Sequence, residues 1–140
     1  MPTDKPLRVL LIRAQVDPHD RGLRYLATRL REAGMEVIYA RYSHPEEIAA
    51  MALQEDVDAV GIGFYCVDPM RVAPQVMGQL RERGLGRVRV LAGGIVPEDE
   101  REALRQAGVE AVFPSGSSAE DVILCLQGLA SPAAGRQQKV

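Results

Sequence analysis

Residues 7–34 read LRVLLIRAQVDPHDRGLRYLATRLREAG, and this stretch sets the architecture. Leu7 to Arg13 is a nearly continuous Leu/Val/Ile run, as in a strand buried on both faces. Arg21 to Ala33 has helical spacing, with Leu23, Leu26, Ala27 and Leu30 on one face and Gly34 as its stop. Between them lies Asp17-Pro18-His19-Asp20-Arg21-Gly22, a D-x-H-x-x-G pattern at the carboxyl end of a strand. An imidazole with a carboxylate two residues away is arranged as a metal ligand and its orienting partner, because ligating imidazole usually donates its other N–H to such a group. Open α/β sheets also bind ligands outside the carboxyl ends of their strands. The competing reading is a solvated histidine among ordinary turn residues, and six residues alone do not decide between the two.

The strand-helix pattern recurs five times. Strands are expected at Leu7–Arg13, Glu36–Ala40, Ala59–Phe64, Val88–Ala92 and Ala111–Phe113. The second helix begins near Pro45, with Ser43 and Glu46 spaced as a capping box, and ends near Glu55. The third spans Val72 to Arg83, with Pro74 assigned to its first turn; the fourth spans Glu98 to Ala107. The fifth starts after Ser117, with Glu120 three residues on, and carries Val122, Ile123, Leu126 and Leu129. Strict alternation with short buried strands implies a parallel sheet covered by helices on both faces. Five units fit a flavodoxin-like (Rossmann-like) three-layer α/β sandwich of strand order 2-1-3-4-5. The loops 14–21 and 65–70 then flank one crevice at the switch point.

Composition narrows the function classes. The 140 residues suit one domain, here 7–129, with a loose N-terminus at 1–6 and a Ser/Pro/Ala/Gly/Gln-rich tail at 130–140 expected to be disordered. Hydrophobic residues are 46% and charged residues 26%, with net charge -2 and no basic block, so neither nucleic acid nor a membrane is an expected partner. No apolar run has spanning length and no signal-peptide pattern opens the chain, which gives the cytoplasm as the expected location. Cys66 and Cys125 form no metal-binding or redox pair; Cys125 reads as helix core and Cys66 as a loop or pocket thiol.

Ala92-Gly93-Gly94-Ile95-Val96-Pro97, after the fourth strand, lets another group approach the backbone closely or forms a tight turn. With Ser115-Gly116-Ser117 after the fifth strand it makes a small-residue wall beside the crevice, suited to a flat or elongated ligand. Neither GxGxxG nor GxxxxGK[ST] is present.

These residues resemble the cobalamin (B12)-binding domain of adenosylcobalamin-dependent acyl-CoA mutases, the methylmalonyl-CoA mutase group. The likeness is strongest to versions in which that domain is a separate small subunit, as in isobutyryl- and 2-hydroxyisobutyryl-CoA mutases. It covers residues 7–129 and rests on Asp17–Gly22, Leu30–Tyr39, Pro45–Ile48, Gln54–Asp58 and Ala92–Glu98. The resemblance implies that His19 is the lower cobalt ligand, displacing the cofactor's dimethylbenzimidazole, and that Asp17 is its hydrogen-bond partner. It implies that Arg13 replaces a lysine that supports the carboxylate, and that Gly22 lets the first helix approach the displaced nucleotide tail. Arg21, Gly63, Tyr65, Gly93, Gly94, Ser115 and Gly116 complete the implied cofactor site. The cofactor would be adenosylcobalamin, and the partner a large mutase subunit with the substrate-binding barrel. The chain would be the cofactor subunit of an isomerase, without turnover by itself.

Two departures stand out. The family's Ser-x-Leu after the third strand is Gly63-Phe64-Tyr65 here, so the serine hydroxyl offered to the benzimidazole nitrogen is absent. The residue between Asp and His, commonly glycine in the family, is Pro18, which stiffens the loop. Three readings remain open: ordinary cobalamin binding with altered contacts, binding of a different corrinoid, or a cofactor-free interaction module of the same fold. Other classes fit less well. A response-regulator receiver needs a lysine after the fifth strand, where Pro114-Ser115 stands; a flavodoxin needs a Ser/Thr-rich phosphate loop after the first. A methyl-carrying corrinoid protein usually has a helical module ahead of this pattern.

Overall fold

The computed structural model describes residues 5–18 and 21–129. The expected tail at 130–140 and most of the expected loose N-terminus, residues 1–4, lie outside the described residues. Five strands alternate with five helices: β1 Arg8–Ala14, α1 Arg21–Glu32, β2 Glu36–Tyr42, α2 Glu46–Glu55, β3 Ala59–Phe64, α3 Pro69–Glu82, β4 Arg89–Gly94, α4 Glu98–Gln106, β5 Ala111–Pro114 and α5 Ala119–Leu129. All strand pairs are parallel and the order is β2-β1-β3-β4-β5, as the sequence implies.

Alternation along β1 divides two cores. Leu10, Ile12 and Ala14 face α2, α3 and α4, in a large cluster with Ile48, Phe64, Val76, Leu80 and Leu104. Val9 and Leu11 face the other way, in a smaller cluster with Leu23, Ala27, Leu30, Val122, Ile123 and Leu126 from α1 and α5. On that second face, Gly61 and Gly63 of β3 lie in register with Leu11 and Arg13 of β1, and Gly63 pairs with Gly93 of β4.

Several boundaries differ from the sequence reading. β2 runs on to Tyr42 because β1 continues to Ala14 and pairs with it. Helix α3 starts at Pro69, not Val72: Asp68 caps it, accepting from the Met70 N–H at 3.1 Å, and Pro69 takes the first position. Pro74 therefore lies inside the helix, tolerated on an exposed face. The capping box of Ser43 and Glu46 does not form; Glu47 instead accepts from the Ser43 N–H at 2.9 Å. In α5 the reciprocal cap is Ser118 with Asp121, one residue beyond the expected Ser117 and Glu120.

Gly94 fixes the ends of β3 and β4. Its φ is +99°, and a Cβ there would lie 2.3 Å from the Phe64 carbonyl oxygen. That oxygen accepts from the Ile95 N–H at 2.6 Å, so the collision cannot be relieved without breaking the turn. At Gly93 a Cβ would meet the Phe113 oxygen at 3.4 Å. Gly94→Ala is expected to cost about 3 kcal/mol or more in urea denaturation, and Gly93→Ala about 1 kcal/mol or less. Equal losses at the two positions would contradict this account of the turn.

Candidate functional site

The face with the smaller core contains a cavity of about 480 Å³. Its floor is the sheet surface at Gly61, Gly63 and Gly93, where no side chains rise. Its sides are apolar: Val9, Leu11, Leu23, Leu26, Leu91, Phe113, Val122 and Leu126. Its outer end carries Ser115, Gly116, Ser117 and Ser118 from the β5–α5 loop. The volume lies within the usual range for small-molecule sites, roughly 300–1,000 Å³.

The structure brings most of the candidate residues together here. Gly22, Gly63, Tyr65, Gly93, Gly94, Ser115 and Gly116 all line this cavity. Arg21 does not; it is the exposed first residue of α1. His19 and Asp20 lie outside the described residues. The sequence reading missed Gly61, although its spacing of two from Gly63 on a strand puts both on one face. It also missed the apolar walls, which read as ordinary core.

Asp17 is the electrostatic centre of the crevice. It is only 1% exposed, and its N–H donates to the Ala14 carbonyl at 3.0 Å. Arg13 is buried beneath the loop. Its Nε donates to the Tyr39 hydroxyl at 2.9 Å, and its Nη1 donates to the carbonyls of Ala14, at 3.3 Å, and Asp17. The guanidinium thus ties the loop backbone to β1 and β2, which a lysine with its single ammonium would do with less geometric control.

Three groups register the Asp17 charge. Burial pushes the Tyr42 phenol up to about 12, with Asp17 the next contributor. The Tyr65 phenol is also raised, by burial and then by Asp17. The Cys66 residue is exposed, yet its thiol is pushed up by local desolvation, by the Asp17 charge and by a hydrogen bond to that carboxylate. The carboxyl ends of β1, β2 and β3 therefore meet at one acidic group.

A family model described as the B12 binding domain matches residues 7–124. The chain belongs to the B12-binding domain family. This B12-binding domain is 44% identical over 126 residues to the pivalyl-CoA mutase small subunit of Xanthobacter autotrophicus, covering 89% of this chain and 84% of that one. It is 37% identical over 132 residues to the 2-hydroxyisobutanoyl-CoA mutase small subunit of Aquincola tertiaricarbonis, covering 94% and 97%. A methylmalonyl-CoA mutase of Cereibacter sphaeroides matches at 35% over 79% of this chain but only 16% of its own length. Among solved structures, a cobalamin-binding protein from Desulfitobacterium hafniense superposes with a TM-score of 0.72 at 19% identity, covering 88% of this chain and 59% of that one. A response-regulator receiver domain from Mycobacterium tuberculosis reaches 0.69 at 15%, covering 90% and 97%. At such identities these superpositions show the fold alone. No helix among the described residues is long and apolar enough to cross a membrane.

Among the described residues the buried Tyr42 hydroxyl has no hydrogen-bond partner. An unfolded tyrosine ionises near pH 10, the folded one only near 12, so the folded state holds this proton across that window. Stability from this group is accordingly lost as pH rises from about 10 to about 12. Tyr42→Phe is expected to flatten that loss and, at neutral pH, to change stability by no more than about 1 kcal/mol, in the stabilising direction. A clear destabilisation at neutral pH would show that the phenol has a partner.

Proposed function

We propose that this chain is the cobalamin-binding small subunit of an adenosylcobalamin-dependent acyl-CoA mutase. The observation that carries the reading is the cavity: it joins, in one glycine-floored channel beside Asp17, seven residues that the family resemblance assigns to the cofactor site. Two relatives that it matches over most of their own length are mutase small subunits.

The residues present fit the cofactor. A flat aromatic base suits the glycine floor and the apolar walls, and the hydroxyls and N-terminal amides at the start of α5 suit a sugar phosphate. His19, in D-x-H-x-x-G, would hold the cobalt in place of the cofactor's own base. Asp17 would accept the other imidazole N–H, which would fix the tautomer and raise the basicity of the ligand. Arg13, through the Asp17 carbonyl, holds the loop that carries both. When bound, adenosylcobalamin supplies the radical chemistry of carbon-skeleton isomerisation, and the protein supplies binding and orientation. Substrate binding falls to a large subunit.

Hydroxocobalamin titrated into the protein should give a base-off, histidine-ligated absorption spectrum, and His19→Ala should abolish it. An unchanged spectrum in His19→Ala would refute the ligand assignment. Asp17→Asn should weaken affinity about 10- to 100-fold, as removing an outer-shell partner does. Binding should also weaken between neutral pH and about pH 5, because a protonated imidazole cannot ligate.

The chain alone should turn over no acyl-CoA, since the substrate barrel of such enzymes takes roughly 250 residues. Activity should appear on adding a large mutase subunit. Turnover by the isolated chain would contradict the division of labour. A cofactor-free module remains the alternative, and protein that stays colourless after cobalamin and desalting would favour it.

A further inference from the structure

Tyr42 is the last residue of β2 and the only buried one in that strand. Strand alternation turns it toward the larger core, with Ile38 and Ala40. Its hydroxyl is buried and has no hydrogen-bond partner among the described residues. A buried donor left unmade is costly, and in a native structure it calls for an explanation. Backbone hydrogen bonds tie this residue to the Asp17 turn. Tyr42 pairs in register with Ala14 of β1. Its carbonyl accepts from the Gln15 N–H at 2.7 Å, and the Ala14 carbonyl accepts from the Asp17 N–H at 3.0 Å. Three charged or polar side chains act on the phenol: Asp17, Cys66 and Arg71. Arg71 can only donate, and the Cys66 thiol already donates to Asp17. The Asp17 carboxylate is the strong acceptor of the three, and its two oxygens can take about four hydrogen bonds.

We propose that Tyr42 is a positioning residue for cobalt ligation: in the cofactor-loaded protein its phenol O–H donates to the Asp17 carboxylate. This rests on the corrinoid reading above and adds a group that reading does not use. A hydroxyl rotates about its C–O bond, so the O–H is re-aimed without moving the strand. The bond holds the carboxylate from the end of β2, while Cys66 holds it from the loop after β3. A carboxylate held from two strand ends presents one fixed direction to the imidazole of His19, which is what an orienting partner must do. The phenol ionises only near 12, so it is a proton donor throughout the neutral range. In the ligand-free protein the same hydroxyl is an unmade donor, so the bond is gained only on loading.

The test compares wild type and Tyr42→Phe, each with and without Asp17→Asn, by spectral titration with hydroxocobalamin and by urea denaturation of the ligand-free proteins. Tyr42→Phe should weaken cobalamin binding about 3- to 10-fold, the size of one hydrogen bond, and keep the histidine-ligated spectrum. Its ligand-free stability should not fall. In the Asp17→Asn background the same substitution should lower affinity by a smaller factor, because a hydrogen bond to a carboxylate is roughly twice as strong as one to a neutral amide. Unchanged affinity in Tyr42→Phe would overturn the proposal. So would an equal factor in both backgrounds, which would give the phenol a different acceptor. A loss of affinity matched by a loss of ligand-free stability would make the phenol a prop for the end of β2, and would overturn it as well. Failure of the wild type to bind hydroxocobalamin would instead overturn the corrinoid reading itself, and this one with it.

Discussion

A parallel sheet must be covered on both faces, and on one face of this sheet there is a strip with nothing to cover. Gly61, Gly63 and Gly93 lie side by side on β3 and β4 and bring no side chains to the layer beneath α1 and α5. On the opposite face Ile12, Ile62, Phe64 and Val90 interlock with three helices. The asymmetry makes the molecule a stable platform on one side and a channel on the other. Filling the floor is obstructed by the protein itself: a Cβ at Gly61 would lie 2.8 Å from Leu11 Cδ2. The tight β4–α4 turn at Gly94 holds the channel's edge through the Phe64 carbonyl, so the rigid core and the open face share one anchor.

The second organising element is electrostatic. A buried carboxylate is costly unless its surroundings compensate it. Asp17 sits where β1 ends, with the Arg13 guanidinium under its backbone and the Cys66 thiol donating to it. Tyr42 and Tyr65 feel its charge from β2 and from the β3–α3 loop. That arrangement gives the Asp17 carboxylate a defined position, the preorganisation that the proposed ligand loop would require.

The sequence disclosed the architecture because the large terms are periodic. β3 was legible to the residue, since Ala59–Phe64 is wholly buried and bounded by polar positions. The misplaced boundaries are those set by partners distant in the chain or by local capping choices. Arg41 and Tyr42 join β2 because Arg13 and Ala14 are there to pair with them, and no local pattern announces this. The start of α3 was readable from Asp68-Pro69, but the weight given to Pro74 obscured it. At the site, glycines and the D-x-H-x-x-G loop carried strong local signals. The apolar walls did not, because a leucine facing a channel and a leucine facing a core look alike in sequence. Tyr65 and Gly63 were legible as departures from a family pattern; the fact that the ring of one lies against the bare backbone of the other required coordinates.

The most direct test of the account is electron paramagnetic resonance of cob(II)alamin bound to protein whose histidines carry ¹⁵N. The chain has two histidines, and His44 is exposed in the loop after β2, so the His44→Ala protein isolates His19. A protein imidazole on cobalt predicts that the three-line nitrogen splitting becomes two-line on labelling, because ¹⁵N has nuclear spin one-half where ¹⁴N has spin one, and that the change persists in His44→Ala. A splitting that stays three-line in the labelled protein would mean that the cofactor's own base still holds the cobalt, and would contradict histidine ligation.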